Sequence, residues 1–162
     1  MSLPNVNVTQ VNGQISSANG TFPCVLVNDG SIQSHSQAAD WIQANLADIE
    51  QQLATSGAVL FRGFPVDSAE TFDSFSSAFG YPNFTYKESL SNAVRINFTE
   101  RVFTANEAPK EVEIFLHHEM AQTPISPSKL FFCSLAQQMK AVPRRCVVQI
   151  CCLPKCLRKC PS

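Results

Sequence analysis

The amino-acid sequence predicts a mixed α/β fold in which strand predominates over helix. Ile42, Leu46, Ile49 and Leu53 recur at helical spacing. Ala58-Val59-Leu60-Phe61-Arg62-Gly63-Phe64 and Leu130-Phe131-Phe132-Cys133 are short apolar runs in the length range of buried strands. Val94, Ile96 and Phe98 alternate with Arg95 and Asn97, the period of a half-buried strand. At 162 residues, 44 % hydrophobic and 15 % charged, the chain is long enough for one domain with one core.

Composition narrows the partners. A net charge of −1 points to neither specific nucleic acid nor a membrane surface. The polar stretch Met1 to Asn12 does not have the pattern of a secretory signal, and no apolar run approaches the length of a membrane span. These features place the protein in the cytoplasm.

In chain order, residues up to about Gly30 are rich in Asn, Ser, Gly and Val, and Phe22 to Val27 reads as a short strand ended by the turn Asn28-Asp29-Gly30. Cys24 reads as a buried small hydrophobe rather than a nucleophile. A helix follows from Ser36 to Ser56, its apolar stripe facing the core, with Gly57 as its stop. The Ala58 to Phe64 run is a buried strand ended by Pro65. Asp67 with Glu70 three residues later forms the pattern of a capping box. The helix it opens carries Phe72, Phe75 and Phe79 on one face and ends at Gly80. Asn83 to Tyr86 is strand or loop, and Val102 to Pro109 is a loop.

The chemistry concentrates in Glu113 to Glu119. Read as a strand, this segment alternates its side chains between two faces. His117 and Glu119 then project together, and His118 points the other way. A His-x-carboxylate pair completed by a distant His is the facial triad of non-haem Fe(II) oxygenases. The bland alternative is a histidine and a glutamate solvated near a strand end. Asn106 and Arg95, polar groups upstream of that strand, are candidates to bind substrate; a turn-capping Asn and a solvated Arg are equally good readings of each alone.

Three quoted runs carry a resemblance: Phe103-Thr104-Ala105-Asn106-Glu107-Ala108-Pro109, then Ile114 to Gln122, then Pro127-Ser128-Lys129-Leu130-Phe131-Phe132-Cys133. Together with the order helix, Gly-Ala-Val-Leu-Phe-Arg-Gly-Phe strand, helix ending in Phe-Gly, they resemble the TauD/TfdA family. Within it, the branch of syringomycin-biosynthesis-type hydroxylases and clavaminate-synthase-like enzymes, which use Glu as the carboxylate ligand, is the nearest in pattern. The resemblance implies a double-stranded β-helix, or jelly roll, with outer helices, here incomplete. It implies Fe(II) as cofactor, 2-oxoglutarate as cosubstrate, and hydroxylation of a C–H bond in a small amino-acid-like or carrier-bound substrate. By the same resemblance His117 and Glu119 are two of three metal ligands. The third His and the Arg that grips 2-oxoglutarate belong further along the family pattern and are not expected in this chain, so the chain is expected to be an N-terminal part without turnover.

The chain changes character near Ala136. All 13 acidic residues lie at or before Glu119, while five of the 7 cysteines (Cys146, Cys151, Cys152, Cys156 and Cys160) crowd the last stretch. The expected organisation is therefore residues 1–135 as the dioxygenase-like part and 136–162 as a Cys-rich basic tail, disordered and read out of frame. Back-translation supports the frame reading. When each codon starts at the third base of the present one, Ala136 to Arg145 permits Pro-Ala-Asp-Glu-Gly-Gly-Ala-Thr-Pro-Leu. That string contains the Gly-Gly-x-Thr-Pro motif which the resemblance places after the Phe-Phe-Cys strand. The rival reading makes the tail a Cys-rich metal-binding or interaction module without enzymatic activity. Zinc modules pair their cysteines across a spacer, and this tail does not.

Overall fold

The computed structural model describes residues 3–17, 20–84, 95–104, 111, 127–135 and 148–152. Within them, helix α1 (His35–Ser56) is set by its ends as much as by its stripe. Ser34 caps it: the hydroxyl accepts from the Gln37 backbone N–H while the Gln37 side chain accepts from the Ser34 N–H, so two orphan donors are satisfied reciprocally. At the other end Gly57 takes φ 77°, a left-handed conformation open to glycine, and its N–H closes the last turn on the Leu53 carbonyl.

The buried face of α1 comprises Ala38, Trp41, Ile42, Asn45, Ile49 and Leu53, with Leu46 at its margin. The aliphatic stripe read from the sequence is therefore correct but too narrow. Trp41 belongs to it because its indole N–H donates to the Pro4 carbonyl at 2.6 Å, which ties the N-terminal segment to the helix. Asn45 is tolerated there because its amide donates to the Trp41 carbonyl at 2.7 Å.

Helix α1 lies against a five-stranded sheet of order β1-β4-β5-β7-β6. The strands are β1 (Val6–Val8), β4 (Cys24–Asn28), β5 (Ala58–Arg62), β6 (Lys129–Phe132) and β7 (Val148–Cys152). A separate hairpin pairs β2 (Ile15–Ser17) with β3 (Gly20–Phe22). Strand β4 begins at Cys24, not Phe22, because Pro23 has no N–H to give a ladder and Phe22 is taken by β3. Strands β4 and β5 run parallel with α1 as the crossover between them. Ala58, Val59, Leu60 and Phe61 are buried irrespective of which face they occupy, as expected for a strand covered on both sides. Asn28 fastens the end of β4: its amide donates to the Ile32 and Gly63 carbonyls, both at 2.8 Å.

Helix α2 (Ala69–Ser77) corrects the expected cap. The capping box is Ser68 with Thr71, one residue later than the Asp67–Glu70 pair. Asp67 supports it from outside by accepting from the Thr71 hydroxyl at 3.2 Å. Glu70 sits in the first turn, where hydrogen bonds from its own N–H and from Ser68 hold its carboxyl below the usual range. Replacing Ser68 by alanine is expected to cost about 1 kcal/mol, and Asp67→Ala clearly less, in a urea melt of each variant. Equal costs would restore the Asp67 cap.

Phe72, Phe75 and Phe79 are buried as anticipated. Phe61 sits at their centre, with ring centroids 5.5 Å from Phe64, 5.4 Å from Phe75 and 6.1 Å from Phe79, all near edge-to-face.

Two further expectations change. Val94 to Phe98 is not a half-buried strand where it is described. Asn97 makes one isolated bridge to Phe103, and Ile96 and Phe98 are 53 % and 58 % exposed. The Thr99-Glu100-Arg101 turn takes up the N–H groups of Phe98 and Thr99 on the Val102 carbonyl instead of extending a ladder. Helix and strand contribute comparably among the described residues, a mixed α/β architecture. Finally, Val148–Cys152 of the tail, expected to be disordered, forms β7 between β5 and β6. Its Val-Gln-Ile-Cys-Cys sequence is uncharged and suits a strand, and the edges on either side offer it backbone partners.

Candidate functional site

The described residues line a half-open pocket of about 460 Å³, within the range of small-molecule sites. It is built where the end of α2, the Tyr81–Phe84 segment, the Arg101–Phe103 turn and β6 converge. Phe72, Phe84, Val102, Phe103, Leu130 and Phe131 give it an apolar body. Gly80, at φ 70°, turns the chain out of the α2 end so that Tyr81 stacks on Phe79 at 5.9 Å.

Two cations stand in this wall, and no carboxylate does among the described lining residues. Arg101 is held by the Tyr81 carbonyl, which accepts from both terminal guanidinium nitrogens at 3.3 and 3.4 Å, and lies 3.8 Å from the Asp73 carboxylate. The ammonium of Lys129 lies 3.6 Å from Glu50 and 4.1 Å from the Tyr81 ring centroid. The Tyr81 hydroxyl donates to the same Glu50 oxygen at 2.7 Å. The acids stand behind the cations, so the wall itself presents positive charge beside aromatic rings. Sequence reasoning missed Tyr81, Arg101 and Lys129. Each is an ordinary surface-type residue until the turn at Gly80 and the Arg101 loop bring them to β6.

The sequence-predicted residues fall as follows. Arg95 stacks its guanidinium 5.1 Å over Phe103, a residue of the cavity wall. Asn106, His117, His118 and Glu119 lie outside the described residues. The cavity is nevertheless bounded by Phe103 on one side and Pro127 to Phe131 on the other, the segments that flank them in the chain. His35 is committed elsewhere: its Nδ1 is 2.7 Å from the Pro65 carbonyl oxygen at the start of α1. Among the described residues no three His, Cys, Asp or Glu side chains cluster as metal ligands, and no helix is long and apolar enough to cross a membrane. Cys24 is buried beside Gln52, and burial pushes its thiol pKa up, which suits packing rather than nucleophilic chemistry.

Comparison with known proteins adds what geometry leaves open. Residues 31–140 match the model of the taurine catabolism dioxygenase TauD, TfdA family. A clavaminate synthase-like protein of Arabidopsis thaliana is 50 % identical over 84 residues, which are 52 % of this chain and 25 % of that protein. The dapdiamide synthesis protein DdaC of Enterobacter agglomerans is 31 % identical over 84 residues, with the same shares of each chain. The aligned stretch thus spans a quarter of either relative. The family match covers most of this chain and contains the 58–64 strand, the α2 phenylalanines, the His117-x-Glu119 pair and the Phe131-Phe132-Cys133 run, and on that footing the chain belongs to the TauD/TfdA family.

Proposed function

We propose that this chain is the front part of a non-haem Fe(II)- and 2-oxoglutarate-dependent dioxygenase, with an incomplete double-stranded β-helix and outer helices as its fold. The observation that carries the reading is the His117-x-Glu119 pair inside the stretch matched by the family. An imidazole nitrogen and a carboxylate oxygen are the donors that ferrous iron takes in a facial triad, whereas zinc structural sites favour thiolates. His117 and Glu119 would hold the metal. Bound iron and 2-oxoglutarate would supply the oxidising chemistry for hydroxylating a C–H bond. The protein's own contribution is a half-open, largely apolar space for a small amino-acid-like or carrier-bound substrate. The rings of Phe72, Phe103 and Phe131 exclude water there, and Arg101 and Lys129 orient polar groups. Arg95 and Asn106 are proposed substrate-side residues; Arg95 braces Phe103 in that wall. The proposed compartment is the cytoplasm, where ferrous iron and a reduced Cys24 thiol coexist.

Two protein ligands leave the metal weakly held. His35 is tied to Pro65, and the strand proposed for residues 113–119 would turn His118 from the pair. The tail after Ala136 is proposed to be an out-of-frame reading, so this chain is proposed to lack turnover. Fe(II) binding, followed with Mn(II) as a spectroscopic substitute, is expected to disappear in His117→Ala and in Glu119→Ala, and to persist in His118→Ala. Equal loss in all three would remove the strand geometry on which the pair rests. Stoichiometric succinate release by this chain would remove the claim that it lacks turnover.

A further inference from the structure

Strand β7 lies outside residues 31–140, the stretch that matches the family, whereas both of its neighbours lie inside it. It runs antiparallel to each. Ala58, Val59, Leu60 and Phe61 of β5 face Cys151, Ile150, Gln149 and Val148. Lys129, Leu130, Phe131 and Phe132 of β6 face Cys152, Cys151, Ile150 and Gln149. Two family strands therefore run parallel with one strand-width between them, two ladder spacings or about 9.5 Å from β5 to β6.

Each edge of that gap has anchors that do not involve β7. Strand β5 is paired to β4 and buried in the core. Strand β6 is pinned by Phe131, whose ring lies 5.2 Å from Phe79, and by Lys129, which reaches Glu50 of α1 and the Tyr81 ring. The gap is thus bounded by two backbone edges, β5 held on its far side by β4 and β6 held by the side-chain contacts of Phe131 and Lys129. An edge of unpaired N–H and C=O groups accepts another strand on backbone geometry, with little demand on its sequence.

We propose that the space between β5 and β6 is a strand-acceptor site for an extended, uncharged peptide segment, and that Val148–Cys152 is one occupant, held in cis as a five-residue plug. Acceptance by backbone pairing explains why a segment with no family likeness can fill the centre of the sheet. The connection from β6 is residues 133–147. A linker of that length confers an effective concentration of millimolar order, so an external peptide at micromolar concentration competes poorly with the plug. Weakening the plug should open the site to a peptide in trans.

The test uses the full chain. Ile150 stands opposite both Val59 and Phe131, and Ile150→Pro removes an N–H in the middle of β7. The probe is a fluorescein-labelled peptide with the sequence of residues 147–152, serine replacing both cysteines. The Ile150→Pro protein is expected to bind it at least about tenfold more tightly than the unsubstituted chain, because the cis competitor is gone. A control peptide with proline at its centre should not bind either protein. Equal affinity of the two proteins for the probe, or binding of the control, overturns the proposal.

A second measurement stands even if Ile150→Pro does not fold. Leu130 and Cys151 are Cα partners across β6 and β7. Leu130→Cys in the otherwise unsubstituted chain should form an intrachain disulfide with Cys151 under mild oxidation, identified by peptide mapping. Excess probe peptide added before oxidation should lower its yield. Pairing of the introduced thiol with another cysteine in preference to Cys151, or a yield indifferent to peptide, overturns the proposal.

Discussion

Phe61→Ala is expected to remove a large share of the folding stability of this protein, about 3–5 kcal/mol. Phe61 is 2 % exposed and touches the rings of Phe64, Phe75 and Phe79, so truncation opens a void at the junction of β5 and α2. Loss of a buried phenylalanine side chain costs about 3–5 kcal/mol, transfer and cavity terms together. Typical domains hold only about 5–15 kcal/mol in total. The neighbours cannot collapse into the void easily, because Phe61 lies on a central strand and Phe75 and Phe79 are fixed by the α2 turn. The measurement is the urea midpoint at unchanged slope. The control is Phe132→Ala, in a residue 52 % exposed, which should shift stability by no more than about 0.5 kcal/mol. A Phe61→Ala variant as stable as the Phe132→Ala control would show that the ring cluster is not the core.

The second large effect concerns the reading frame. Genomic DNA of the locus, read from the third base of each present codon after Leu135, is expected to encode Gly-Gly-x-Thr-Pro and to continue to a downstream His and Arg. A chain expressed from that frame is expected to convert 2-oxoglutarate to succinate at an ordinary enzyme rate, on the order of 10 s⁻¹ with its substrate. The present chain should show none. The proposed reason is chemical: a metal held by His117 and Glu119 alone would lack a third protein ligand, and 2-oxoglutarate would lack a carboxylate grip. If the shifted frame stops early or lacks the motif, the out-of-frame reading of the tail fails. The composition break at Ala136 would then need another cause. That outcome leaves the strand-acceptor proposal standing, since the latter rests on the β5 and β6 edges.

What the sequence determined by itself was local and periodic. The α1 stripe, the Gly57 stop, the Ala58 to Phe61 strand and the buried Phe72, Phe75 and Phe79, the last just beyond α2, follow from repeat spacing and from residues with few backbone options. The His117-x-Glu119 pair is a reading of the sequence alone, two ligand types at strand period, and it lies outside the described residues. Tertiary structure decided what depends on partners far away in the chain. It chose Ser68 over Asp67 as cap, because Thr71 and not Glu70 completes the reciprocal hydrogen bonds. It drew Trp41 into the core through the Pro4 carbonyl, 37 residues away in sequence. Among the described residues it gave the Arg95 to Phe98 stretch one bridge and no named strand, since the Arg101 turn folds back on it, and left Ile96 and Phe98 exposed. It assembled the cavity wall from Tyr81, Arg101 and Lys129, which no single period links. And it placed Val148–Cys152 at the centre of the sheet, because a strand with few charges needs only an open pair of edges, and those edges exist only once β5 and β6 have been packed.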